Sequence, residues 1–224
     1  MCGRFVAATP LPLLATWFHA DEVRVDDLEP SWNVAPTDRV PAVAEHRGRR
    51  LVGAFHWGLV PGWATDRKGA AGRINARAET VVEKPAFREA FARRRCLVAA
   101  DGFYEWRLAP GGLKQPLFIG PADGHPLAFA GLWESWRDPA DRDAPPLRTC
   151  TILTTAANVR LATVHDRMPV ILPPETWDEW LHPTNRDVGD LRALLVPAPD
   201  DLLDVRPVST LVNDVRNKSA EVLA

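Results

Sequence analysis

Cysteine, tyrosine, methionine, net charge and long apolar runs are all scarce in this sequence, and most of these shortages exclude a class of protein. The three cysteines, Cys2, Cys96 and Cys150, are odd in number, far apart and without a C-x-x-C pair. That pattern argues against both a disulfide framework and a structural zinc site, so the expectation is free thiols with no metal and no other cofactor. No stretch approaches the ~20 apolar residues needed to span a bilayer. The opening MCGRFVAATP carries one arginine and nothing of signal-peptide length, so a cytoplasmic protein without a membrane partner is expected. The 27 Lys and Arg nearly balance 29 Asp and Glu, a formal net charge of −2. The whole-molecule field therefore does not attract nucleic acid, and a site for it has to come from locally concentrated arginine.

What is present is the composition of an ordinary globular protein, 46% hydrophobic and 25% charged over 224 residues, long enough for a substantial core. One domain over residues 1–224 is expected. The 21 prolines cut the chain into short elements. Leu11–His19 reads as a helix, and Val40–Glu45 with Leu51–Leu59 as a hairpin about the HRGRR turn. A helix over Pro85–Arg94 sets Phe87 and Phe91 on one face. From Cys96 onward CLVAA, YEWRL, PLFIG, PLAFAGLWESW and RTCTILTTA are short segments rich in strand formers. Helical pieces follow near Pro174–Leu181 and Val188–Leu195, then an extended VRPVS. Ala109–Gly112 and Asp138–Pro146 read as surface loops. The fold class is α+β, with a mostly antiparallel, barrel-like β core flanked by short helices.

Four places carry chemistry. Removal of Met1 leaves a free α-amine and a thiol together on Cys2. The amine, with a pKa near 7.7–8.0, is partly neutral at pH 7 and adds to an aldehyde; the thiol then closes a five-membered thiazolidine, favoured because the step is intramolecular. The same cysteine is equally an incidental small residue after the initiator. In GRINARAET, alternation places Asn75, Arg77 and Glu79 on one face of an extended segment, suited to a sugar and a phosphate, or else to a surface ion pair. In ADGFYEWR, Glu105 sits between Tyr104 and Trp106; an apolar setting raises a carboxyl pKa into the range useful for proton transfer, whereas a solvated strand Glu would not be raised. His165 in TVHDRMPVIL is a proton shuttle or a structural histidine. Trp57, Pro61 and Trp63 offer a stacking platform for an unpaired base, or core. Arg88 and Arg93–Arg95 read chiefly as favourable charge at a helix C-terminus.

MCGRF, WNVAPT, WGLVPGW, INARAET, RRCLVAADGFYEW and VHDRMPVIL, in that order over nearly the whole chain, resemble the SOS-response-associated peptidase (SRAP) family, also called abasic site processing proteins. The resemblance implies a sensor and shield of abasic sites in single-stranded DNA that cross-links to them through a Cys2 thiazolidine, with thiol-peptidase-like and lyase-like chemistry. It implies catalytic roles for Cys2, Asn75, Glu105 and His165, and DNA-binding roles for Arg4, Asn33, Trp63 and Arg77. The partner would be single-stranded DNA with abasic sites, bound by a monomer that is nucleoid-associated while engaged. Met1 would be removed by self-cleavage or by an aminopeptidase. Two other readings stay open: an N-terminal-cysteine glutamine amidotransferase, and a non-covalent single-strand binding module.

Overall fold

The computed structural model describes residues 2–25, 27–108 and 111–224, and among them the architecture is α+β with thirteen strands and a few short helices. The strands are β1 Phe5–Ala7, β2 Glu22–Val23, β3 Ser31–Val34, β4 Arg39–His46, β5 Arg49–Trp57, β6 Asn75–Arg77 and β7 Arg95–Ala100. They continue with β8 Gly102–Leu108, β9 Lys114–Pro121, β10 Leu127–Trp136, β11 Leu147–Ala156, β12 Arg167–Pro169 and β13 Leu203–Pro207. The helices are α1 Leu11–Trp17, α2 Arg88–Arg93, α3 Val159–Ala162, α4 Trp177–Leu181 and α5 Val188–Ala193.

Two sheets form. The smaller runs β13-β9-β8-β1-β3, and the larger runs β12-β11-β10-β7-β4-β5-β2. In the larger, β11 turns back to pair with β5, but only through Thr149 opposite His56 and Cys150 opposite Trp57. The result is a ring-like sheet that is not closed as a barrel.

The apolar density of CLVAA has a structural cause: every residue of β7 is buried, because both faces of the ring are covered. Successive side chains of a strand point to opposite faces. Leu97 and Ala99, with Val43, Val52 and Leu153, pack outward on Phe91, Trp177 and Trp180 of the helical layer. Cys96 and Val98, with Ala42, Phe55, Trp57 and Ile152, pack inward on Cys2, Phe5 and Phe103. A third cluster seats the C-terminal segment, Val212 and Val222, on Val6 and Tyr104.

Two sequence expectations are corrected. The helix expected from Pro85 is α-helical only over Arg88–Arg93, because Phe87 has φ −121° and lies outside helical space; Phe87 still packs on the outer cluster. Of Arg93–Arg95, read chiefly as charge at a helix C-terminus, Arg93 lies in the last turn of α2 and Arg94 at its cap, but Arg95 belongs to β7. Arg94 pairs with Glu134 at 2.7 Å. Arg95 is buried, 2% exposed, and donates to the carbonyls of Phe91, Trp180, His182 and Asn185. Burial lowers its pKa to about 10, so it stays charged at neutral pH. The loop at Asp138–Pro146 lies between β10 and β11 as expected; of Ala109–Gly112, residues 109 and 110 lie outside the described residues.

Arg95 thus ties α2 and the segment after α4 to the ring with a fork that lysine cannot reproduce. Replacing it by Met leaves several carbonyls without their charged donor and should cost about 3 kcal/mol. The check is the denaturant midpoint of Arg95→Met and Arg95→Lys. Both should fall, and a loss under about 1 kcal/mol in either would remove Arg95 from this role.

Candidate active site

The first residues of the chain are laid beside β8. Phe5 pairs with Phe103, and the Tyr104 amide donates to the Arg4 carbonyl at 2.9 Å, so the antiparallel register carries Gly3 and Cys2 past Glu105. Cys2 is 0% exposed. Its thiol lies 4.0 Å from the Arg4 carbonyl, and its own carbonyl accepts from Asn75 Nδ2 at 2.7 Å. Asn75 is aimed by two backbone anchors. Strand β6 runs parallel to β11 with Asn75 opposite Ile152, and the Trp57 indole donates to the Ile74 carbonyl at 2.9 Å. The Asn75 Oδ1 is buried and has no hydrogen-bond partner among the described residues, an acceptor oriented into the site with unused capacity.

Glu105 is 7% exposed, and burial raises its pKa to about 7, with the charge of Asp166 adding to the rise. The cause differs from the one its sequence neighbours suggest. Tyr104 and Trp106 lie on the opposite face of β8, in the cluster with Val6 and Val212. The face that Glu105 shares with Phe103 meets the ring interior. Gly102 makes this strand possible: its φ is +147°, and a Cβ there would lie 2.4 Å from the Phe118 ring. Burial, then the negative charge of Glu105, pushes the Cys2 thiol far above its ordinary pKa. Cys2 is thus a neutral thiol at pH 7 with a carboxyl group near enough to sense it.

His165 follows α3, which Asn158 caps through its Oδ1 and the Leu161 amide. The Arg167 amide donates to His165 Nδ1 at 2.9 Å, while an Asp166 carboxylate oxygen also lies 2.8 Å from that nitrogen. The two contacts demand opposite protonation of Nδ1. A backbone N–H cannot withdraw its proton, and burial lowers the His165 pKa, so we assign a neutral ring with Nδ1 accepting and the proton on Nε2. Arg167 clamps Glu79 with two bonds of 2.6 and 2.9 Å. Glu79 is therefore not on the face expected for it: β6 ends at Arg77, and Glu79 turns to tie this segment to the His165 loop. Glu105 and His165 open onto one cleft of about 500 Å³, whose other walls are Trp106, Lys114 and Asn213.

The remaining expected residues separate by exposure. Arg77 is exposed on the strand that carries Asn75, and Trp63 is 71% exposed; neither lines the cleft. Trp57 and Pro61 are buried, so of the three residues expected to offer a stacking platform only Trp63 is exposed. Asn33 is 0% exposed and internally bonded, accepting from Arg4 at 2.7 Å and donating to the carbonyls of Val212, Asp214 and Asn217. Arg4 also donates to the Val212 carbonyl and lies 5.8 Å from the Trp106 ring centre. Trp106, Lys114 and Asn213 were not singled out as site residues. Trp106 adjoins Glu105 and was legible in principle. Asn213 enters through a hydrogen bond from the Trp106 indole across 107 residues, a relation no local pattern contains.

The geometry defines a class: an α+β protein in which the buried Cys2 thiol lies beside Asn75 and within electrostatic reach of Glu105, while Glu105 shares a cleft with His165. Comparison with known proteins agrees. The SOS response associated peptidase (SRAP) model matches residues 1–215, and the chain belongs to that family. It is 40% identical over 224 residues to the abasic site processing protein YoqW of Bacillus subtilis, covering 100% of this chain and 99% of that one. Against the abasic site processing protein YedK of Escherichia coli the identity is 32% over 230 residues, covering 100% and 99%. A crystal structure of a Bacteroides thetaiotaomicron protein superposes with a TM-score of 0.84 at 26% identity, covering 97% of this chain and 100% of that chain.

The raised pKa of Glu105 has a stability signature. Because its folded value, about 7, lies above the ~4.3 of a free Glu, the folded state holds the proton more tightly. Its contribution is complete below pH ~4.3 and is lost as pH rises through 7. Thermal melts of wild type and Glu105→Gln between pH 4 and 8.5 should diverge over that window, with wild type losing stability relative to the variant as pH rises. Parallel curves would show that Glu105 titrates normally.

Proposed function

We propose that this protein recognises abasic sites in single-stranded DNA and captures them covalently through Cys2 once Met1 has been removed. Several relatives carry the name abasic site processing protein, which supports abasic DNA as the substrate class. The observation that carries the reading is the placement of Cys2, its carbonyl held by Asn75 at 2.7 Å and its thiol within electrostatic reach of Glu105.

An abasic deoxyribose equilibrates with its ring-opened aldehyde. The free Cys2 amine adds to the aldehyde carbon, and the carbinolamine loses water to give an imine. The thiol sulfur then bonds to the imine carbon while its proton passes to the nitrogen, closing a thiazolidine with no oxidant or reductant required. Each step needs a proton delivered or removed. Glu105, with a pKa of about 7, is present in both forms near neutrality and can donate to a departing oxygen and take the proton back. In the assigned tautomer His165 carries its proton on Nε2 and offers a hydrogen-bond donor at the same cleft. Asn75 Oδ1 is free to accept from a sugar hydroxyl. Arg77 and Trp63 would hold phosphate and base outside the cleft, whereas buried Asn33 would act by positioning Arg4. In this reading the residues form one unit on residues 1–224, working as a monomer in the cytoplasm, with reversal by the same proton transfers.

The test is a denaturing gel of mature protein with single-stranded DNA containing one abasic site. A shifted band should appear for wild type and be absent for Cys2→Ala and for intact DNA. Glu105→Gln should slow its appearance by about 10²–10⁴-fold. Absence of the band from protein whose Met1 is shown by mass to be gone would sink the reading. Ammonia release from glutamine would then favour an amidotransferase, and salt-sensitive binding of intact strands a passive binder.

A further inference from the structure

The incomplete closure of the ring leaves a second opening. Strands β5 and β11 meet only at His56–Trp57 and Thr149–Cys150; before those residues no pairing joins them, and this unpaired stretch is a split in the ring. The opening is a pocket of about 240 Å³. Its inner wall is Gly53, Phe55 and Trp133, the two rings packed edge to face at 5.9 Å and 67°. Gly53 keeps the space clear. A Cβ there would lie 3.3 Å from the Phe55 ring and 3.8 Å from Arg148 Nη1, so the guanidinium of β11 reaches across the split toward β5.

This opening is remote from Cys2. Gly53 precedes Trp57 by four strand residues and Arg148 precedes Ile152, the partner of Asn75, by four, which places the split roughly 13 Å along the ring from the Asn75 end. It is also locally cationic in a chain of net charge −2. Arg24 and Arg148 line it, and Arg47 and Arg49 stand in the adjoining β4–β5 turn and strand. The nearby acids are Glu45 in the lining and Glu22, which is shared between Arg24 and Arg49. No ion pair engages Arg148 among the described residues. The aromatic wall requires a flat apolar group, and the basic rim requires an anion attached to it. Drug-sized pockets run ~300–1,000 Å³, so this one takes a single ring system and not two.

We propose that the split is a binding site for a nucleotide unit, with the base against Trp133 and Phe55 and the phosphate on Arg148. Stacking on an aromatic face supplies sequence-tolerant affinity, and a guanidinium fork suits a phosphate. The proposal does not depend on covalent capture at Cys2. The same chemistry is offered by a free nucleoside monophosphate and by a residue of a DNA strand, and these are separable.

Calorimetric titration of the full chain with deoxyadenosine monophosphate should show one saturable site. Adenosine and inorganic phosphate, each lacking half of the recognition, should bind at least tenfold more weakly. Arg148→Met, at an exposed position, should weaken the mononucleotide at least tenfold. Gly53→Val, which fills the pocket, should abolish binding. Both variants should still form the gel-shifted adduct with abasic DNA, and Cys2→Ala should bind the mononucleotide as wild type does, so failure of either reading is visible without the other. Tighter binding of an intact oligonucleotide than of the mononucleotide, lost in Arg148→Met, assigns the site to a strand; equal or weaker binding assigns it to free nucleotide. No saturable binding by wild type, or unchanged affinity in Arg148→Met, overturns the proposal.

Discussion

One edge of strand β11 governs the rest. Its other edge is taken by β10 and then β12, leaving a single edge that β5 and β6 must share. Each does so in parallel, β5 at Thr149–Cys150 and β6 at Ile152–Thr154. Two strands cannot occupy one stretch of edge, so β5 has to leave where β6 arrives. Where β6 takes over, Asn75 is delivered to the Cys2 carbonyl; where β5 has not yet arrived, the ring stands open beside Arg148. The candidate active site and the second opening are thus two consequences of one pairing constraint.

The site at the Asn75 end is held by groups whose burial sets their chemistry. A carboxyl group in water is ionised at pH 7. Placed on the inner face of β8, it is near half-protonation, because the interior penalises the charged form. The same penalty keeps the Cys2 thiol protonated. Burial therefore disfavours thiolate chemistry, which calls for an electropositive setting that lowers the thiol pKa; under the proposed reading the thiol adds in its protonated form and passes its proton on. The Glu79–Arg167 pair is peripheral to the chemistry but joins the segment following β6 to β12, next to His165.

Much of this was legible locally. The strands from Cys96 onward, the hairpin about HRGRR and the α+β class follow from residue type and turn signals, because two-sided burial in the ring leaves a continuous apolar signature in β7. The chemical residues were legible as types, namely Cys2 by its position, Asn75 by its alternation with Arg77, and Glu105 by its apolar setting. Their reasons were not. The rise in the Glu105 pKa comes from the face opposite Tyr104 and Trp106, and Glu79 leaves the alternating pattern because β6 is only three residues long. Asn33, read as a DNA contact from its motif, is enclosed by backbone carbonyls from 212 to 217. Such long-range closures carry no local signal. The same holds for the split at Arg148, which exists only because a strand 93 positions earlier fails to continue its pairing.

The distribution of arginine bears on how such a protein would hold an anionic strand. Many of its guanidinium groups are committed internally: Arg95 to four carbonyls, Arg94 to Glu134, Arg167 to Glu79, Arg73 to the Leu59 carbonyl, Arg39 to Asp27 and Arg216 to Asp214. Other cations are exposed and outside these pairs among the described residues, including Arg77, Arg88, Arg107 and Arg148, on a molecule of slightly negative net charge. Non-covalent retention of DNA would fall with salt in proportion to the number of phosphates contacted, since each contact contributes roughly one unit to the logarithmic slope. A thiazolidine is indifferent to salt. Under the proposed reading, the outward cations need only guide and orient the strand, and the permanence of the complex resides in two covalent bonds to one carbon.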